Sequence, residues 1–235
     1  MLLKKQLIYF MLLLFVVLAE EEYSYKEGSS VDTTVDSGDV NDENIKGIAK
    51  QLIQFIIDNY LWKLQSADIT FEEKKEIFKF CFEKYFAVRK ISGFVLGKYV
   101  REITPQDKES FVKYFTEQVT DMYTKQFDNF RNITVSVQSV EVMTVNRKNM
   151  YIVHTLINTD NTADTNDTIK LDWTCIIDNR DDVSNVKISD VSIAGISLRT
   201  TLRDVIQTEI NDDFMNNVGE YIQQKSQIKK DSDSN

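Results

Sequence analysis

The sequence contains few of the residues that build common structural and catalytic frameworks. It has one proline, 7 glycines and 2 cysteines among 235 residues, which excludes collagen-like, proline-rich and disulfide-stapled chains. A single histidine excludes any metal or catalytic site that needs a histidine pair. The net charge of −9 argues against a general nucleic-acid-binding protein, because such a protein needs a basic surface. We therefore predict no metal, cofactor or nucleic acid as a partner.

The N-terminal segment has the pattern of a secretory signal peptide. Lys4 and Lys5 precede an apolar run from Leu7 to Leu18, and small residues lead up to Ala19. As a helix this run would extend roughly 18 Å, which is short of the roughly 30 Å core of a bilayer. We predict a signal peptide over 1–19, cleaved near Ala19, and export of the mature chain. An uncleaved anchor is the alternative.

Most of the negative charge lies in the segment that follows. Residues 20–44 contain nine acidic residues and one lysine, with several serines and glycines. Such a composition buries too little apolar surface to fold by itself, so we predict a disordered acidic leader over 20–44. The rest of the chain has nearly balanced charge. We assign the folded domain to 45–228 and a polar tail to 229–235.

Apolar residues in the first half of the domain recur at the spacing of amphipathic helices. The predicted helices cover 44–64, 70–85, 86–100 and 104–127, and the third is interrupted by Gly93 and Gly97. Thr104 followed by Pro105 is a helix start signal, because threonine caps a helix and proline fits its first position. This half of the domain is therefore expected to be helical.

The apolar period changes to two after Arg131 and predicts four strands joined by polar turns. Within the first strand the phase slips between Val137 and Val140, which indicates a β-bulge or bend. A further amphipathic stretch covers 202–222. The predicted fold is α+β: a helical N-terminal half packed on a curved four-stranded antiparallel sheet and closed by a C-terminal helix.

The reactive residue types form no recognisable catalytic motif. His154 lies in a strand pattern without a serine or cysteine nucleophile motif nearby, so a structural role is favoured. His154, Asp172 and Asp190 are the only groups that suggest a small secreted hydrolase, which is the least favoured reading. Cys81 and Cys175 lie in apolar patterns, where a free buried thiol is common, but export would also permit a disulfide.

Two segments together resemble the signatures of the MlaC family. The first is 94–101, followed by the cap at Thr104 and Pro105 and by the spaced residues Phe111, Phe115 and Tyr123. The second is 171–173 with 189–198, and 218–222 is similar to the closing turn of the family. The resemblance covers about 45–225. Arg199 departs from the pattern, because an apolar residue is usual there.

This resemblance implies a periplasmic phospholipid carrier. MlaC-like proteins enclose acyl chains in a hydrophobic cavity between helices and sheet. They shuttle lipid between an inner-membrane ABC transporter complex and an outer-membrane lipoprotein complex. The resemblance therefore makes 45–228 a lipid-binding domain whose partners are a phospholipid and these two complexes. The alternative is an exported, non-enzymatic binding or scaffold domain whose aromatic interior is a filled core.

Burial of an acyl chain in an apolar pocket releases enough free energy to bind a lipid. Burial of a methylene contributes about 0.8 kcal/mol, so a sixteen-carbon chain gains on the order of 10 kcal/mol in a dry pocket before ordering costs. The residues expected to line the pocket are Phe94, Leu96, Tyr99, Phe111, Phe115, Val119, Met122, Leu171, Trp173, Cys175, Ile196, Leu198 and Leu202. Of these, Ile196 and Leu198 follow most directly from the resemblance. No charged clamp for a headgroup is evident.

Overall fold

The structure is a computed structural model that describes residues 39–127, 133–159, 169–179 and 182–209. The predicted signal peptide, the leader up to residue 38, the last predicted helix beyond Glu209 and the polar tail lie outside these residues. Among the residues described, no helix combines the length and hydrophobicity needed to cross a bilayer.

The first helix begins earlier than predicted. Helix α1 spans Asp39–Ile56, continues through a π-helical turn at Ile57–Leu61, and leads into the short helix α2 at Trp62–Gln65. Helix α1 therefore includes residues 39–44 of the predicted leader. The acidic start of α1 is held by the sheet, because Asp42 accepts hydrogen bonds from the Tyr151 hydroxyl at 2.7 Å and from the Asn149 amide at 3.1 Å.

The next helices have clear local start signals. Helix α3 spans Phe71–Tyr85, and Thr70 forms a capping box with Glu73 at its N-terminus. This arrangement satisfies backbone N–H groups that the first helical turn leaves unpaired. Helix α5 spans Pro105–Thr124 and begins as predicted, since the Thr104 hydroxyl accepts a hydrogen bond from the Asp107 amide at 3.1 Å.

A glycine divides the helix predicted over 86–100. Helix α4 spans Val88–Leu96, and a 3-10 helix follows at Gly97–Arg101. Gly97 has φ 58° and ψ −125°, a conformation that only glycine adopts without strain. The interruption expected in this stretch therefore lies at Gly97, whereas Gly93 lies inside α4.

The second half of the domain is an antiparallel sheet whose strands follow chain order. The strands are β1 Ile133–Val145, β2 Lys148–Thr159, β3 Ile169–Asn179, β4 Asp182–Ile193 and β5 Ile196–Ser197. The register of β1 against β2 shifts between Val137 and Ser139, which confirms the predicted bulge.

The sheet has five strands rather than the four predicted. Ala194 and Gly195 both have positive φ, 51° and 87°, as in the two-residue turns that join hairpin strands. The turn returns the chain against β4, where Ile196 pairs with Ile193. Helix α6, Leu198–Glu209, follows at once, so it begins four residues before the predicted stretch at 202.

The interior consists of two hydrophobic clusters. The helical core joins α3, α4, α5 and α6, and its most enclosed residues include Val95, Phe111 and Phe115. The sheet core places one face of α1 against β2, β3 and β4, around residues such as Ile53 and Val153. Phe86, between α3 and α4, packs against both cores. The molecule therefore has two parts with their own packed interiors: helices α3 to α6, and the sheet together with α1.

The two cysteines are not joined. Cys81 and Cys175 are both free and buried, which answers the question that the sequence left open. Burial raises the pKa of each thiol to about 12. A raised thiol pKa lowers the thiolate fraction at neutral pH, and the thiolate is the reactive form.

Alkylation tests this protection. At pH 8 the folded protein should react with iodoacetamide roughly a thousandfold more slowly than the denatured protein, because a thiol of ordinary pKa is partly ionised there. The rate for the folded protein should rise about tenfold per pH unit. Mass spectrometry of labelled protein measures both rates, and fast labelling of either cysteine in the folded state would contradict the burial seen here.

Candidate functional site

A pocket of about 160 Å³ lies between the helical core and the sheet. Its wall is almost entirely apolar, and it draws side chains from α3, α4, α5, β3, β4 and α6. The lining residues are Phe78, Phe82, Phe86, Ile91, Val119, Tyr123, Trp173, Ser189, Asp190, Val191, Leu198, Arg199 and Leu202. We call this space the seam pocket.

One side of the seam pocket is aromatic. Phe78 and Phe82 lie one turn apart on α3, and Phe86 follows four residues later, so their rings form one row. The ring centres of Phe78 and Phe82 are 6.1 Å apart, and those of Phe82 and Phe86 are 5.1 Å apart. Tyr123 of α5 stacks on Phe78 at 6.0 Å. These residues give the pocket a continuous apolar wall.

The opposite side is formed by the inner face of the sheet. Trp173 on β3 and Val191 on β4 are paired neighbours across the two strands. The indole N–H of Trp173 donates to the Thr155 hydroxyl at 3.2 Å, and that hydroxyl donates to the Leu171 carbonyl at 2.7 Å. Because the indole N–H has a partner within the sheet, the ring of Trp173 contributes apolar surface to the pocket.

A carboxylate fixes the end of the pocket at which α6 begins. Asp190 accepts hydrogen bonds from the Val191 amide at 2.8 Å, the Ser197 hydroxyl at 2.6 Å and the Arg199 amide at 3.0 Å. It therefore binds β4, β5 and α6 to one another. Burial, together with the negative charge of Asp190, raises the pKa of the Tyr123 phenol above its ordinary value, so this phenol stays neutral at physiological pH.

A second pocket of about 410 Å³ lies beside the first and has a charged rim. Its lining residues are Glu83, Phe86, Ala87, Val88, Arg89, Lys90, Val112, Lys113, Thr116, Asp178 and Lys187. Phe86 belongs to the walls of both pockets. The Ala87 amide, next to it, donates to the Ile188 carbonyl at 2.8 Å. Phe86 is therefore shared by the walls of the two spaces.

The structure brings together four of the residues predicted to line a lipid site. These are Val119, Trp173, Leu198 and Leu202. Among the others, Leu96, Phe111 and Phe115 lie inside the helical core, Leu171 and Cys175 inside the sheet core, and Tyr99 and Met122 against the helical core. Phe94 lies beneath two arginine side chains, and Ile196 is 37% exposed. The role of these nine in binding stays a prediction.

Sequence reasoning missed the row of phenylalanines on α3. Phe78, Phe82 and Phe86 recur every four residues, which is the signal that could have found them. The same spacing is typical of a helix face that packs into an ordinary core. The spacing alone therefore did not separate a pocket wall from a filled interior.

The groups that suggested a hydrolase do not form one site. His154 Nδ1 lies 2.7 Å from Asp172 Oδ1, and its Nε2 lies 3.3 Å from Glu141 Oε2. Asp190 is instead engaged by the turn that leads into α6. Within the described residues, no group of three or more His, Cys, Asp or Glu side chains could hold a metal ion.

The chain is similar to a known protein family and to a solved structure. The model of the MlaC protein family matches residues 54–225, about three quarters of the chain. A phospholipid-binding protein from Ralstonia solanacearum, solved in complex with a phospholipid, has a similar fold, with a TM-score of 0.57 and 14% sequence identity. The match covers 77% of this chain and 95% of that protein. No curated protein matches the sequence significantly.

Proposed function

The chain belongs to the MlaC family, and from that premise we propose that it is a periplasmic phospholipid carrier. In this proposal the acyl chains lie between the helices and the sheet. The protein shuttles its lipid between an inner-membrane ABC transporter complex and an outer-membrane lipoprotein complex. The ligand complex of the similarly folded Ralstonia solanacearum protein supports the choice of ligand.

The observation that carries the proposal is the seam pocket. An interior packed only for stability has few spaces larger than a water molecule, whereas a partly open pocket of about 160 Å³ with an apolar wall lies where the two cores meet. Apolar cavities of about this size, roughly 150 Å³, stay dry and bind benzene. The pocket therefore favours a carrier over a scaffold with a filled core.

The size of the pocket also determines how binding proceeds. Pockets that hold drug-sized ligands measure about 300–1,000 Å³, so the seam pocket admits only part of an acyl chain as it stands. A larger ligand requires the helices and the sheet to move apart. Because each half has its own core, such a movement exposes the contacts between the halves and leaves most contacts within them intact.

Extraction of the purified protein tests the proposal. Organic extraction followed by mass spectrometry should recover phospholipid in a molar ratio near one per protein, because chains held in a dry pocket dissociate slowly from it. Cells that lack the gene, taken through the same purification, provide the background. The loaded protein should also transfer a fluorescent phospholipid from donor to acceptor vesicles. Phospholipid at background level together with no transfer would favour the scaffold instead.

A further inference from the structure

Two arginines on α6 lie over one aromatic ring beside the seam pocket. Arg199 and Arg203 are one helical turn apart, and their guanidinium carbons lie 4.3 Å and 5.1 Å from the ring centre of Phe94 on α4. Arg199 also forms part of the wall of the seam pocket. Stacking on a ring holds a guanidinium group in place while its in-plane N–H groups stay available to a ligand.

Both arginines have donors without a partner. The Nε atoms of Arg199 and Arg203 are buried, and neither makes a hydrogen bond. Arg203 Nε lies 3.9 Å from Asp204 Oδ1, which makes a long ion pair but is beyond hydrogen-bond distance. Among the residues that the structure describes, no carboxylate lies within ion-pair distance of the Arg199 guanidinium group. A buried donor without a partner is costly, and an anionic ligand would remove that cost.

The surrounding polar groups are already engaged. Asp190 accepts its hydrogen bonds from the turn and from the Arg199 amide, not from the guanidinium group. The Thr200 amide donates to the Ser197 hydroxyl at 3.1 Å. The Arg199 and Thr200 amides are therefore engaged within the protein, and an anion at this place would be held by the two arginine side chains.

We propose that Arg199 and Arg203 bind the phosphate of a phospholipid whose acyl chains occupy the seam pocket. This inference rests on the proposed carrier function and adds a headgroup site to it. Two guanidinium groups match the several oxygens of a phosphate, and such charge-assisted hydrogen bonds are strong. An apolar pocket that ends at two cations also matches the division of a phospholipid into tails and headgroup.

The test compares ligands with and without a phosphate. Purified, delipidated protein is titrated with dihexanoyl phosphatidylglycerol, with dihexanoyl glycerol and with inorganic phosphate. The wild type should bind the phospholipid at least tenfold more tightly than either other ligand. In the double variant Arg199→Gln, Arg203→Gln this preference over dihexanoyl glycerol should disappear, because the affinity for the phospholipid falls at least tenfold more than the affinity for dihexanoyl glycerol.

The matched control removes two arginine charges at exposed positions outside the proposed site. Arg101 and Arg147 are exposed, so the double variant Arg101→Gln, Arg147→Gln should keep the wild-type preference. If the glutamine pair at 199 and 203 does not fold, the lysine pair keeps the charge and should show a reduced preference. An unchanged preference in folded 199 and 203 variants would overturn the headgroup site and leave the carrier function standing. If inorganic phosphate binds as tightly as the phospholipid, the two arginines bind free phosphate and not a lipid headgroup. A wild type that binds neither lipid would overturn the carrier function itself.

Discussion

Substitution of Val191 by tryptophan should lower the phospholipid recovered with the purified protein at least tenfold. Val191 is 8% exposed and lies in the wall of the seam pocket beside Trp173. An indole is larger than benzene, and benzene already fills a cavity of about 150 Å³. The new ring would therefore occupy the space available to an acyl chain. Exclusion of only two methylenes removes about 1.6 kcal/mol, which is already more than a tenfold loss of affinity.

The matched control is Val145→Trp on the same sheet. Val145 is 42% exposed at the end of β1, so its replacement adds the same ring without entering the pocket, and lipid recovery should stay at the wild-type level. Lipid is quantified by mass spectrometry after extraction, and thermal unfolding confirms that both variants fold. Wild-type lipid content in a folded Val191→Trp protein would show that the chains bind elsewhere.

Replacement of Gly97 by alanine should destabilise the fold by about 2–4 kcal/mol. The backbone at Gly97 has φ 58°, and a side chain in such a conformation is strained by about 1–3 kcal/mol. A Cβ at this position would lie 2.8 Å from Gln207 Nε2, which donates to the Val95 carbonyl at 3.1 Å. Displacement of Gln207 would lose this link between α4 and α6, at a further cost of about 1 kcal/mol. For a domain of this size the melting temperature should fall by roughly 5–15 °C.

Gly93→Ala is the control for this effect. Gly93 lies inside α4, and the nearest atom to an added Cβ is Val100 Cγ2 at 3.9 Å. Alanine is the better helix former by about 0.5–1 kcal/mol, so this variant should melt at or slightly above the wild-type temperature. If the Gly97→Ala protein melts within about 2 °C of the wild type, the link between α4 and α6 is not held by the conformation of this glycine.

The sequence predicts those features of the fold that depend on neighbouring residues. The start of α5 follows from Thr104 and Pro105, and the bulge in β1 follows from the slip in its apolar pattern. Features that depend on distant partners were missed. The acidic start of α1 folds because Asp42 contacts Tyr151, which is far away in the sequence, and β5 exists because a tight turn returns two residues to β4.

The same distinction between local patterns and distant contacts applies to the residues of the candidate site. Strand alternation and the family resemblance placed Trp173, Leu198 and Leu202 on inward faces, and all three lie in the wall of the seam pocket. Phe78 and Phe82 were missed because their spacing fits any buried helix face, and only the position of α3 against the sheet makes them a pocket wall. The pairing of Arg199 and Arg203 over Phe94 requires α4 and α6 to pack together, which no local pattern shows.

The division of the interior into two cores has a consequence for substitutions in this chain. Phe111 and Val153 lie deep in separate clusters, so substitutions there change how firmly each half folds. Partly exposed residues such as Phe78 and Trp173 face the boundary between the clusters, so substitutions there change what the boundary accommodates. Substitutions can therefore change the stability of the two cores and the shape of the boundary between them largely independently.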